Sequence, residues 1–171
     1  IENSGRITGP VAGVYQQIVS LGATPSKIDN EGTIDAQIAV YIGSATGSLV
    51  NIANHDGAKI EGSIASLLSG EQTKLTNDGK MVGNVVLGVY DDKVVNKGKV
   101  NGDVQLGDGQ DVFKLKGEAK AGLIDSGYGN DKLVLADKAD SLLFDSALSA
   151  AANVDTIKKF ASGKDAIYLD D

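Results

Sequence analysis

Six segments of this chain are near-copies of one another, and their spacing limits the folds open to it more than anything else does. Written from their glycines they are Asn3-Ser-Gly5-Arg-Ile7-Thr-Gly9-Pro-Val11, Asn30-Glu-Gly32-Thr-Ile34-Asp-Ala36-Gln-Ile38 and Asn54-His-Asp-Gly57-Ala-Lys-Ile60-Glu-Gly62-Ser-Ile64. Then come Asn77-Asp-Gly79-Lys-Met81-Val-Gly83-Asn-Val85, Asn96-Lys-Gly98-Lys-Val100-Asn-Gly102-Asp-Val104 and the weaker Gly117-Glu-Ala119-Lys-Ala121-Gly-Leu123. The leading glycines lie 27, 25, 22, 19 and 19 residues apart. A period near twenty with one short strand per unit is the signature of a solenoid.

Within each segment the apolar residues alternate: Ile7/Val11, Ile34/Ile38, Ile60/Ile64, Met81/Val85, Val100/Val104 and Ala119/Leu123, with a glycine or alanine midway. A spacing of two puts all three on one strand face. The interleaved residues, such as Thr8, Asp35, Glu61, Asn101 and Lys120, face solvent. One strand cannot bury a large–small–large face alone, but coils stacked at strand spacing can. An antiparallel sandwich is the competing fold, disfavoured because the strands repeat in one orientation with no short hairpin turn between them. The expected fold is therefore all-β: a right-handed parallel β-helix or β-roll-like solenoid of six to seven coils. Residues 1–135 would form the solenoid, looser over 1–76 and regular over 77–135, and 136–171 a C-terminal capping segment.

Glycine supplies 22 of 171 residues, nearly twice the usual share, which suits a chain turning several corners per coil. Few aromatics and no tryptophan favour a narrow aliphatic core. The asparagines opening five segments are turn residues, and Asn3, Asn30, Asn54, Asn77 and Asn96 would stack as an amide ladder along one corner.

The net charge of −7 is uneven: −5 over residues 101–171 and −2 over residues 1–100. With one arginine and no basic tract, nucleic acid is excluded as a partner. No apolar run reaches the length of a membrane span, and no signal peptide is recognised. The absence of cysteine leaves the compartment open. The start at Ile1 points to a piece of a longer parent chain.

The later coils carry a second pattern. Leu87-Gly88-Val-Tyr-Asp-Asp92-Lys-Val94 is followed at an offset of 19 by Leu106-Gly107-Asp108-Gly109-Gln-Asp111-Val-Phe113, and 20 further on by Ser126-Gly127-Tyr-Gly129-Asn-Asp131-Lys-Leu133. Here the chain resembles the RTX, or haemolysin-type, calcium-binding proteins, whose nonapeptide reads G-G-x-G-x-D-x-U-x. Leu106–Lys114 and Ser126–Val134 fit it, with Leu106 and Ser126 in place of the first glycine. The resemblance implies a Ca2+ site with Asp111 and Asp131 as side-chain ligands and Gly107, Gly109, Gly127 and Gly129 as carbonyl donors. Calcium takes six to eight oxygens at about 2.3–2.6 Å, more than one loop supplies but within reach of two stacked loops. Asp92 lies one coil below, in a loop where Val89-Tyr90 replaces the glycine. In the family two nonapeptides occur per coil; here there is one, so one site is expected rather than an array.

The tail, Asn153-Val-Asp155-Thr-Ile157-Lys-Lys-Phe160 with Gly163-Lys-Asp165-Ala-Ile167-Tyr-Leu169, is similar to the segment that follows RTX repeat blocks. Ile157 and Phe160 would close the open core and Ile167–Leu169 add a terminal strand, with a loop or short helix over 136–152. The repeated segments are also similar to those of bacterial surface and autotransporter-type β-helix proteins. By these resemblances the chain is a calcium-stabilised module of a secreted or cell-surface bacterial protein, exported by type I secretion, with folding, structural or adhesive roles.

No catalytic residue stands out. His55 is the single histidine and reads as a solvated turn residue, there is no cysteine nucleophile, and Asp91/Asp92 are sequence neighbours on opposite faces. The chain is read as a non-enzyme whose partners are calcium, the rest of the parent chain and a cell-surface polysaccharide. The alternative is a carbohydrate-binding or carbohydrate-modifying β-helix, for which Tyr15 and Tyr41, at nearly matching places in the first two coils, would offer a small stacking surface.

Overall fold

The computed structural model describes residues 1–9, 12–16, 26–43, 47–147 and 153–170, with the backbone alone for 12–16. Pro10, Val11, Pro25 and the alanine run ending at Ala152 lie outside the described residues. Two all-parallel sheets make a β-solenoid of about 6 turns, and no helix occurs among the described residues. Sheet A has eight strands, stacked in chain order: Glu2–Asn3, Ser26–Asn30, Val50–Asn54, Thr73–Asn77, Lys93–Asn96, Val112–Leu115, Lys132–Val134 and Thr156–Lys158. Sheet B, of ten strands, contains Arg6–Thr8, Ala12–Gln16, Thr33–Ile42, Lys59–Ser69, Lys80–Val86, Lys99–Asn101, Val104–Gln105, Leu123–Asp125, Ser141–Phe144 and Ala166–Leu169.

The core between the sheets is a set of aliphatic columns. In sheet A, Ile28, Ile52, Leu75, Val94, Phe113 and Leu133 lie in one register and are 0–2% exposed. In sheet B, Val40, Leu67, Val85, Val104, Ile124 and Leu142 do the same. Burying each such side chain contributes about 1.5–3 kcal/mol, so stacking rather than any single coil holds the fold.

Among the described residues Ile64 and Leu123 differ from the alternating pattern, and Ile38, beside a register shift, is only half-buried. Ile64 is 63% exposed, and Ala65 and Leu67 turn inward in its place. The strand Lys59–Ser69 shifts register against both neighbours at this point, and the shift flips the following side chains to the other face. In the sixth segment Leu123 is only half-buried, and Ile124 stands over Val104. Ile124 lies five positions after Ala119, whereas Val104 lies four after Val100.

Both sheets run past residue 135 without a break. Ser141–Phe144 is a strand, correcting the loop or short helix expected there, because Leu142 extends the column over Ile124. The tail supplies the last strand of each sheet, Thr156–Lys158 and Ala166–Leu169. Ile157 packs against the core, whereas Phe160 is 41% and Leu169 69% exposed.

Candidate metal centre

From Val50–Asn54 to Lys132–Val134 each strand of sheet A is bracketed by two buried residues four apart, one at each corner of the coil: Val50/Asn54, Thr73/Asn77, Asp92/Asn96, Asp111/Leu115 and Asp131/Leu135. At the far end stands the asparagine ladder: Asn3 Nδ2 donates to Asn30 Oδ1 (2.7 Å), Asn30 to Asn54 (2.8 Å), Asn54 to Asn77 (2.7 Å) and Asn77 to Asn96 (2.8 Å). Asn96 ends the run by donating to the Lys120 carbonyl at 2.8 Å. In the next two coils leucines, Leu115 and Leu135, take over the corner.

At the near end the later coils place aspartates in the same way. Asp111 Oδ1 accepts the Asp92 N–H at 2.7 Å, Asp131 Oδ1 accepts the Asp111 N–H at 2.7 Å, and Asp155 Oδ1 accepts the Asp131 N–H at 2.9 Å. Below them Asp92 Oδ1 accepts the Thr73 N–H at 2.5 Å. Asp92, Asp111 and Asp131 are each at most 2% exposed. The structure thus brings the two predicted carboxylates into direct succession and places Asp92 in the same column.

The second oxygen of each carboxylate has no such use. Oδ2 of Asp92, of Asp111 and of Asp131 is buried with no hydrogen-bond partner. Leaving a buried acceptor unpaired costs about 1–3 kcal/mol, and more when it is charged. Burial accordingly pushes the Asp92 carboxyl up to about 7, against the Thr73 and Gly88 amides, which pull it down. Asp111 is pushed up to about 8 by burial, opposed by the Asp92 amide and reinforced by the carboxylates of Asp92 and Asp131. Asp131 is pushed up to about 6, again chiefly by burial.

The predicted glycines pack against one another in the adjoining loop. A Cβ on Gly129 would lie 1.5 Å from the Gly109 carbonyl oxygen and 3.3 Å from Asp131 Oδ1, and Gly129 has φ +146°, so only glycine fits. Gly127 sits on Gly107 with the same crowding, at 2.0 Å. The Gly107 carbonyl accepts the Tyr128 N–H at 3.1 Å and the Gly127 carbonyl accepts Ser146 Oγ at 2.8 Å. Each keeps a second lone pair.

Asp155 belongs to this column and not only to the tail motif. The signal is present as Asp-x-apolar in Asp92-Lys-Val94, Asp111-Val-Phe113, Asp131-Lys-Leu133 and Asp155-Thr-Ile157, where the same offset aims the carboxylate at the corner and the apolar side chain at the core. Asn153 adds an acceptor, its Oδ1 taking the Gly129 N–H at 2.7 Å. Among the described residues no group of three or more His, Cys, Asp or Glu side chains converges on a metal-sized point. The column offers instead one free carboxylate oxygen at each of the Asp92, Asp111 and Asp131 levels, while Asp155 Oδ2 accepts Ser126 Oγ at 2.9 Å. His55 lies at the opposite corner, hydrogen-bonded through Nε2 to Asp29.

No protein-family model matches the chain, and neither a curated protein nor a solved structure matches it.

Proposed function

We propose that this chain is a calcium-stabilised β-solenoid module of a secreted or cell-surface bacterial protein, in which metal binding completes the fold. The observation that carries the reading is the run of three buried, partnerless Oδ2 atoms at Asp92, Asp111 and Asp131. Calcium is a hard cation that takes carboxylate and carbonyl oxygens in flexible numbers, the donor types this corner offers. Asp111 and Asp131 would hold it, with Asp92 from the coil below and carbonyls from Gly107, Gly109, Gly127 and Gly129. When bound, the ion supplies the positive charge that the stacked carboxylates lack. The protein's own part is to fix the carboxylates: each is oriented through its Oδ1 by a backbone N–H of the preceding coil.

Folding and binding are coupled in this reading, since a ligand taken up by the native state alone adds its binding free energy to stability. Where calcium is scarce, inside the producing cell, charged later coils resist stacking and leave the chain fit for export. Outside, where calcium is plentiful, they close. The module's role is then structural or adhesive, with no reaction of its own.

Calorimetric titration of chelator-stripped protein with calcium, paired with melts in calcium and in chelator, tests this. Saturable binding is expected, with a stability gain of about 2.7 kcal/mol at a hundredfold excess over Kd. Both should vanish in Asp111→Ala with Asp131→Ala. A β-rich, cooperatively melting apoprotein that binds nothing at millimolar calcium would sink the reading.

A further inference from the structure

The outer face of sheet A has a charge opposite to that of the molecule. Its eight strands contain six lysines (Lys27, Lys74, Lys93, Lys114, Lys132 and Lys158) and two acids, Glu2 and Asp29, both in the first two strands. From Val50 onward the face has five lysines and no acid, on a chain whose net charge is −7. The ten strands of sheet B, by contrast, hold Arg6, Lys59, Lys80 and Lys99 against Asp35, Glu61 and Asp125.

Strand register lines these lysines up. One outward column reads Lys27, Asn51, Lys74, Lys93, Val112, Lys132 and Thr156 from coil to coil. The column beside it reads Asp29, Ala53, Thr76, Val95, Lys114, Val134 and Lys158. Lys27 is tied to Asp29, but among the described residues none of Lys74, Lys93, Lys114, Lys132 and Lys158 forms an ion pair. Lys74 and Lys93 stand on adjacent strands, where like charges destabilise the sheet. A shallow recess of about 180 Å³ lies between Lys27 and Lys74, floored by Asn51, Ala53 and Thr76.

We propose that this face binds a linear acidic polysaccharide lying along the solenoid axis, its carboxylates or sulfates on the lysine columns. Successive coils are about 4.8 Å apart, close to the length of one sugar unit, so a straight polyanion meets the lysines in step. Asn51, Thr76 and Thr156 set neutral donors and acceptors between the charges, suited to hydroxyls. Single-stranded nucleic acid is disfavoured, since the face has no arginine and no outward aromatic on which a base would stack. A membrane is disfavoured too, because none of the exposed large hydrophobics belongs to this sheet and nothing would insert. The inference does not rest on the metal reading.

Binding of polygalacturonate by the whole chain tests it, measured by calorimetry in calcium and in chelator, with β-structure checked by circular dichroism in both. Neutral dextran, single-stranded DNA and phosphatidylserine vesicles serve as comparison ligands. Saturable, salt-sensitive binding to polygalacturonate and not to dextran is expected. The triple variant Lys74→Gln/Lys93→Gln/Lys132→Gln should lose at least about tenfold in affinity and flatten the slope of log K on log salt by about two. Lys80→Gln/Lys99→Gln/Lys120→Gln, which changes net charge equally on the other side, should stay within about twofold of the parent. Equal losses in both variants, or retained binding in the sheet A variant through calcium bridging, would overturn the proposal. So would absent binding by folded protein in calcium, or tighter binding to DNA or vesicles.

Discussion

The two corners of sheet A use side chains of nearly the same shape and reach opposite outcomes. An asparagine amide gives a proton and takes one, so a stack of them closes on itself: every rung from Asn3 to Asn77 donates to the next Oδ1, and Asn96 finds a carbonyl. An aspartate only accepts. Its Oδ1 is satisfied by a backbone N–H, its Oδ2 by nothing, and the shortfall recurs at Asp92, Asp111 and Asp131. One strand, Lys93–Asn96 with Asp92 before it, has both kinds of corner four residues apart. A ladder is self-sufficient only when each rung both gives and takes; otherwise a proton or a cation must complete it.

Exchanging the two chemistries breaks the contrast most severely. Asn54→Asp removes the donors to Asn77 Oδ1 and the Lys80 carbonyl and buries an unpaired charge. A loss of about 3–5 kcal/mol is expected in urea unfolding at pH 8; a loss below about 1 would show that the amide corner does not depend on its donors. Next comes Gly129→Ala, expected to cost about 3 kcal/mol because its Cβ meets the Gly109 carbonyl and φ is strained. Gly117→Ala, with open space around it, should cost about 1 in the same assay.

The reverse exchange should stabilise. Asp111→Asn keeps the acceptor for the Asp92 amide and removes a buried charge, so in chelator at pH 8 a gain of about 2 kcal/mol is expected. Its sign depends on pH. The folded-state pKa values of the column are raised, to about 7, 8 and 6 for Asp92, Asp111 and Asp131. Their contribution is therefore fully present below the unfolded value near 3.8 and is lost as pH rises through about 6 to 8. Apoprotein melts should fall across that window, and the advantage of Asp111→Asn should vanish by pH 4; an advantage constant with pH would argue against the buried charge. The smallest effect is expected from Asn96→Leu, which moves the ladder's end down one coil in the manner of Leu115 and Leu135. It should cost about 1 kcal/mol, for the Asn77 donor left behind.

Most of the solenoid is visible in the sequence because stacking forces each coil to repeat the same inward residues. Ile34, Ile60, Met81, Val85, Val100 and Val104 are buried where alternation puts them, and the asparagines stack as their turn chemistry suggests. Errors arise where coil length changes between glycines. Alternation counted across Gly62 points Ile64 inward, and a register shift there turns it out. One added residue before Ile124 does the same to Leu123. At the carboxylate corner, spacing reveals which aspartates align. It does not reveal that each spends one oxygen on the coil below, because that depends on backbone N–H directions. The lysine columns escape notice for a related reason: Lys74, Lys93 and Lys132 are unremarkable along the chain and become neighbours only through strand register.

The asparagine ladder also has a direction. All its N–H bonds point from the first coil toward the last, so the amide dipoles add and polarise one another by about 10–30% per bond. The stack is thus an electret, with its positive pole at Asn96, beside the half of the chain that has a net charge of −5. A structure whose coils nearly repeat in sequence is in this way distinguishable end from end by its electric field, and acid accumulates at the end where that field favours it.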